Sequence, residues 1–291
     1  MRVSPISITL KNQVRHNKLQ NQQRLNTMSN DSISFGAKIT YEMNRDAWRS
    51  ILPNFLETDE HAHKPHARSF WKLDDKTISA IARMSDDKTK NTFATDRIIV
   101  SHAHKEGKIE QLLQFAKNDD EILDILNTRI AHLDKYKSPR IEGPLKGALS
   151  FQDLITVLDK MQSKEKKKEL LLSSWEQESS INYPDKNPIR TRETIATRLR
   201  LQDFSLEDQR NKPSYGPCGH TPKEQPSQEQ MLKNMQKLYF NIVDIVQDDS
   251  TTNKEAVELI KAYKEFCGPA YKFYFDEIEK QFTKQIVLSE E

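Results

Sequence analysis

Five histidines in two short groups are the residues in this sequence best suited to chemistry. The first group is His61, His63 and His66, and the second is His102 and His104. Imidazole nitrogens bind zinc, and a metal that activates water needs only three protein ligands. If each His-x-His pair lay on a strand, both rings would point to the same side, because side chains alternate along a strand. The five histidines are therefore candidate ligands for zinc or another divalent metal.

The spacing of these histidines resembles motifs of two families of metal-dependent hydrolases. Residues 61–66, His-Ala-His-Lys-Pro-His, resemble the His-x-His-x-Asp-His motif of metallo-β-lactamases, and residues 98–104 resemble the strand and His-x-His that open amidohydrolase barrels. Pro65 stands where the first motif has its aspartate ligand. After Lys105 the pattern predicts helices, whereas a barrel needs alternating strands. We assign the chain to neither family, and loop histidines on a polar surface remain the alternative.

Other chemical motifs give little support for an enzyme. Cys218 and His220 could pair a thiol with a base, but the surrounding prolines predict a surface loop. The chain has no Gly-x-x-x-x-Gly-Lys loop, no Gly-x-Gly-x-x-Gly fingerprint and no Gly-x-Ser-x-Gly elbow. The leading hypothesis is therefore a non-enzymatic helical protein that acts by binding another macromolecule. The alternative is a metal-dependent, hydrolase-like enzyme that uses the two His-x-His pairs.

Composition and charge favour helices and a protein partner. The 291 residues include only seven glycines, which disfavours turn-rich β-barrels and glycine-rich phosphate loops. The net charge of +2 hides an uneven distribution, since residues 1–36 hold five basic side chains and one acidic one. From residue 228 onward there are eight lysines and twelve acidic residues. Nucleic-acid binding by this acidic part is disfavoured, because affinity for phosphates depends on positive charge. Lysines of residues 164–168 predict either a basic face for acidic partners or a solvated helix turn.

The first 36 residues predict a segment outside the folded core. Val3, Ile6, Leu10 and Val14 have helical spacing beside basic residues, which is typical of an amphipathic targeting segment. Pro5 and the scarcity of apolar residues favour a disordered basic lead-in instead. No apolar run approaches the roughly 18 residues of a membrane span. We expect no membrane span and a cytoplasmic location by default, with targeting as the alternative.

Apolar periodicity predicts a mainly α protein in four parts. These are the lead-in (1–36), a mainly helical central domain (37–201), a proline-rich linker (202–226) and a C-terminal three-helix bundle (227–291). One small β-sheet is allowed for in the region 37–104, where residues 98–100 form a short β-branched run. Within 70–84, the pattern favours a helix capped by Asp74 or Asp75 over a hairpin.

The C-terminal part has the clearest pattern in the chain. Ser227 with Gln230 and Thr252 with Glu255 have the spacing of helix-start capping pairs, as do Ser150 and Asp153 upstream. Gly268 and Pro269 predict the end of one helix and the start of the next. We predict that the aromatic stripe in these helices is core, with a partner-binding groove as the alternative. The three predicted inward faces are Leu232, Met235, Tyr239, Ile242 and Val246; Ala256, Ile260, Tyr263 and Cys267; and Tyr271, Tyr274, Ile278 and Phe282.

The two functional hypotheses make opposite predictions for metal content. If the protein acts by binding alone, the purified chain should retain no stoichiometric zinc, manganese or iron. If the histidines bind a metal, the wild-type chain should retain it, and His63→Ala and His104→Ala should each release it. Elemental analysis of the three purified proteins measures this directly, and retained metal that both variants lose would contradict the leading hypothesis.

Overall fold

The computed structural model describes residues 70–130, 143–179, 189–201 and 226–290. In these ranges the chain forms eleven α-helices, three short 3-10 helices and one two-stranded antiparallel sheet, which confirms a mainly α fold with one small sheet. The α-helices are α1 (Asp75–Met84), α2 (Asp87–Thr95), α3 (Arg97–Lys105), α4 (Ile109–Leu112), α5 (Asp119–Asn127), α6 (Phe151–Lys160), α7 (Lys164–Leu172), α8 (Ile195–Leu201), α9 (Gln228–Val246), α10 (Asn253–Tyr263) and α11 (Pro269–Glu290). The 3-10 helices are Leu113–Phe115, Leu145–Ala148 and Lys264–Cys267.

The small sheet lies later in the chain than the predicted region 37–104. Its strands are β1 (Ser174–Ser179) and β2 (Ile189–Thr194), with Trp175 opposite Glu193. Residues 37–69 lie outside the described ranges, and residues 75–105 form α1, α2 and α3. Within the described residues the predicted region contains no strand, and a strand in residues 37–69 stays a prediction.

The β-branched run at residues 98–100 forms part of α3, so the strand predicted there was wrong. Asp96 explains the difference, because its carboxylate accepts hydrogen bonds from the backbone amides of Ile98 and Ile99, each at 2.9 Å. A cap of this kind satisfies amides that a helix start leaves without partners. Ile99, Val100 and Ala103 are then buried on one side of the helix, and this packing outweighs the weak β preference of the run.

The predicted helix ends are confirmed where local side chains determine them. Ser150 with Asp153 and Thr252 with Glu255 both form complete capping boxes. The Ser227 hydroxyl accepts a hydrogen bond from the Gln230 amide at 3.1 Å. Asp74 caps α1, as the helical interpretation of that region required. Gly268 has a φ of 79°, which glycine adopts without the steric cost of a Cβ atom, and α11 starts at the next residue.

Aromatic side chains fill the core of the first described range. The ring centroids of Phe70 and Phe93 are 4.6 Å apart, and those of Phe93 and Phe115 are 4.7 Å apart. Trp71 is fully buried and its indole N–H donates to the Ile99 carbonyl at 2.9 Å. A buried indole needs such an acceptor. The bond therefore fixes the start of α3 to the segment before α1.

Helix α7 connects the central helices to the C-terminal ones. Leu170 and Leu171 are buried, and the hydroxyl of the fully buried Tyr263 donates to the Leu171 carbonyl at 2.9 Å. Burial raises the pKa of the Tyr263 phenol, so it remains a neutral donor. Lys168 donates to the Ser250 carbonyl at 2.8 Å. The described parts of the central and C-terminal regions thus share buried contacts, whereas residues 1–36 and 202–225 lie outside the description and the four-part division stays a prediction.

The contact between Gly147 and Trp175 gives a prediction about stability. A Cβ atom at Gly147 would lie 2.7 Å from Cζ2 of the Trp175 ring, too close for either group to stay in place. We expect Gly147→Ala to lower the free energy of unfolding by about 1–3 kcal/mol. Gly143→Ala is the control, because a Cβ atom added there would have nothing within 4 Å. This change should be neutral or slightly stabilising. Urea unfolding of both variants measures the difference, and equal stabilities would contradict the packing described.

Candidate functional site: an aromatic surface on the C-terminal helices

The structure places two of the five candidate metal ligands. His102 and His104 lie in α3, whereas His61, His63 and His66 lie outside the described residues. Residues two apart in an α-helix are separated by about 200° around its axis, so the two side chains of α3 leave the helix on nearly opposite sides. The strand geometry that would bring this pair of rings together was therefore wrong. Whether the five histidines bind a metal stays a prediction.

The described residues contain few other groups suited to catalysis. No set of three or more His, Cys, Asp or Glu side chains in these ranges is arranged to hold a metal ion. Cys267 is buried, and burial raises the pKa of its thiol, which disfavours the reactive thiolate. Cys218 and His220 lie outside the described residues. A search of the described helices for one long and apolar enough to cross a membrane found none.

The lysines of residues 164–168 make contacts within the protein. Lys164 lies 2.8 Å from the Asp244 carboxylate, and this hydrogen bond raises the pKa of the lysine. Lys166 lies 2.8 Å from the Asp120 carboxylate on α5. Their neighbours in the run follow the same pattern, since Lys167 donates to the Asn241 side chain and Lys168 pairs with Glu255. Three of the four lysines thus pair with acidic residues of this chain and the fourth with an amide, so a basic face for acidic partners gains no support from the run.

The inward faces of α9 and α11 differ from the predicted ones at one residue each, Leu232 and Tyr274. Phe275 is fully buried whereas Tyr274 is 56% exposed, and Met231 is 3% exposed whereas Leu232 is 52% exposed. The adjacent residue has taken the inward position in each case. Tyr239 determines this rotation near the start of α11, because its ring stacks on Tyr271 at 4.5 Å and meets Phe275 edge-on at 5.0 Å. Treating the whole aromatic stripe as core was therefore wrong for Tyr274.

Five aromatic residues of α9 and α11 form one connected surface. This aromatic surface consists of Tyr239, Phe240, Tyr271, Phe273 and Tyr274. Tyr239 contacts Phe240 at 5.4 Å and Tyr274 at 6.4 Å between ring centroids, and Phe273 contacts Tyr274 at 5.9 Å. Phe240 is 55% exposed and Phe273 is 67% exposed, while Tyr239 and Tyr271 are half-buried. Clustered exposed apolar side chains of this kind are typical of interaction sites.

Charged residues beside the aromatic surface are paired within the chain. Lys237 contacts Asp159 on α6, and Asp244 contacts Lys164 on α7. On the other side, Glu277 lies 2.7 Å from Lys280 and Lys272 lies 2.8 Å from Glu265. The pKa of Tyr239 is raised, mainly by burial, so its hydroxyl remains neutral. The surface thus offers aromatic area and the neutral Tyr239 hydroxyl group without an excess of either charge.

Comparisons with known proteins add no functional information. No family model, no curated protein and no solved structure matches the chain.

The sequence analysis did not identify Phe240 and Phe273, because they fall outside the predicted apolar faces. Their spacing nevertheless indicates exposure, because a phenylalanine out of phase with the buried face of an amphipathic helix must point toward solvent or a partner.

Two phenylalanines of α11 should respond differently to truncation. Phe275→Ala removes a fully buried ring and should lower the free energy of unfolding by about 3–5 kcal/mol. Phe273→Ala removes a ring that is 67% exposed and should change it by less than about 0.5 kcal/mol. Chemical unfolding of the two variants tests this. A large loss of stability in Phe273→Ala would show that the aromatic surface belongs to the core.

Proposed function

We propose that this protein is non-enzymatic and acts by binding another protein through the aromatic surface. The observation that supports the proposal is the exposure of three connected rings, Phe240, Phe273 and Tyr274. Of these, Phe240 and Tyr274 contact the half-buried Tyr239. Aromatic side chains are enriched at the centres of protein interfaces, where they contribute much of the binding energy. Phe240 and Tyr274 both contact Tyr239, which packs into the fold, and this contact lowers the side-chain entropy lost on binding.

The expected binding partner is an uncharged, apolar segment of a protein. The charges that border the aromatic surface are paired inside this chain, so a strongly charged partner would gain little there. The acidic excess after residue 228 disfavours nucleic acid. The alternative, a metal-dependent hydrolase that uses the two His-x-His pairs, has no support from the positions of His102 and His104. The metal analysis described above tests this alternative.

Photo-crosslinking at Phe240 tests the proposal. p-Benzoylphenylalanine in place of Phe240, in full-length protein expressed in its native cells, should form adducts with a specific partner on irradiation. The same amino acid in place of Lys254, which is exposed on α10, is the control and should not form them. The captured protein is then purified and titrated with wild-type chain and with Phe240→Ala. Loss of a central aromatic contact should weaken binding at least about tenfold.

Two outcomes would overturn the proposal. One is that position 240 yields the same adducts as position 254, or none. The other is that Phe240→Ala binds the captured protein with the Kd of the wild type. Circular dichroism checks that Phe240→Ala is folded. We expect it to be folded, because the Phe240 side chain is 55% exposed.

A further inference from the structure

The outward side of α11 has apolar side chains at both ends and charged ones between them. Near the start, Phe273 and Tyr274 are 67% and 56% exposed, and near the end, Val287 and Leu288 are 54% and 62% exposed. Glu277, Lys280 and Lys284 are exposed between these pairs. Positions 273, 277, 280, 284 and 287 are separated by steps of four and three, so they share one face of the helix. This face lies opposite the one that holds the buried Phe275.

This pattern is symmetric about the midpoint between Lys280 and Gln281. Phe273 and Leu288 lie equally far from the midpoint, as do Tyr274 and Val287, and Glu277 and Lys284. In an antiparallel pair of helices related by a two-fold axis, residues equally far from the axis face each other. A second copy of α11 would therefore place apolar side chains opposite apolar ones, about 10–11 Å on either side of the axis. It would also place Glu277 of each copy opposite Lys284 of the other.

We infer that two copies of this chain form a symmetric dimer through antiparallel contact of α11. The inference goes beyond the proposed function, because the partner is a second copy of this chain and the contact shares only Phe273 and Tyr274 with the aromatic surface. Isologous contacts of this type are the commonest way in which soluble proteins associate. The contact covers the four exposed apolar side chains that folding of the single chain leaves in water.

Charge selects the antiparallel arrangement. Glu277 faces Lys284 of the second copy while its own Lys280 lies 2.7 Å away. Within the described residues Lys284 takes part in no ion pair, so it is available for this contact. A parallel pair would place Glu277 beside Glu277 and Lys284 beside Lys284, and like charges at such positions repel.

Charge reversal on the full-length chain tests the dimer. Sedimentation velocity across the micromolar range should give the mass of a dimer for the wild type. Glu277→Lys and Lys284→Glu should each weaken the dimer about tenfold, because each change turns two attractive contacts into repulsive ones. The double variant Glu277→Lys with Lys284→Glu should restore the affinity. Lys254→Glu, on an exposed position of α10, should leave it unchanged.

A monomeric wild type, or a double variant as weak as the single ones, would overturn the inference. These side chains are exposed, so the variants should fold, and circular dichroism checks this. The proposed function is judged separately at Phe240, which lies on α9 outside the paired helices. Specific adducts at Phe240 with a monomeric wild type would reject the dimer alone, whereas a restored double variant without adducts would reject only the binding of another protein.

Discussion

The contact between Tyr263 and the end of α7 is the constraint on which the C-terminal helices depend. A fully buried phenol needs a hydrogen-bond acceptor, and the last carbonyls of a helix need donors from outside the helix. The hydrogen bond from the Tyr263 hydroxyl to the Leu171 carbonyl, at 2.9 Å, satisfies both groups. This bond positions α10, and the ion pairs between Lys264 and the two acids Asp276 and Glu279 then position α11 against it. The side of α11 that remains exposed follows from this arrangement.

Part of the acidic excess after residue 228 is neutralised by lysines of the central region. Lysines of α7 pair with Asp244 and Asp248 at the end of α9 and with Glu255 at the start of α10. Glu255 also closes the capping box with Thr252, and these hydrogen bonds, more than Lys168, hold its pKa below the usual range. One carboxylate thus stabilises both a helix start and a contact between helices. What remains near α9 and α11 is a surface with paired charges, on which aromatic area is the main feature.

Helix α11 combines two roles on opposite faces. Its inner face supplies Phe275, Ile278 and Phe282 to the fold, and its outer face carries the side chains proposed for association. A change on one face can therefore affect association without affecting folding, as the two phenylalanines at 273 and 275 should show. The aromatic surface and the dimer contact meet at Phe273 and Tyr274, so occupation of one would restrict access to the other.

The sequence by itself determined the helices whose ends depend on neighbouring residues. The capping pairs at Ser150, Ser227 and Thr252 and the turn at Gly268 follow from contacts over three or four residues, and these are visible as spacing. The tertiary structure alone decided that Phe275 and not Tyr274 is buried on α11, because both fit the same periodicity and Tyr239 contacts Tyr271 across 32 positions. It also decided the pairing of β1 with β2 and the burial of Ile99, Val100 and Ala103 on one side of α3, where β-branched residues suggested a strand. Packing between distant segments decides between such alternatives, and the spacing of neighbouring residues does not predict that packing.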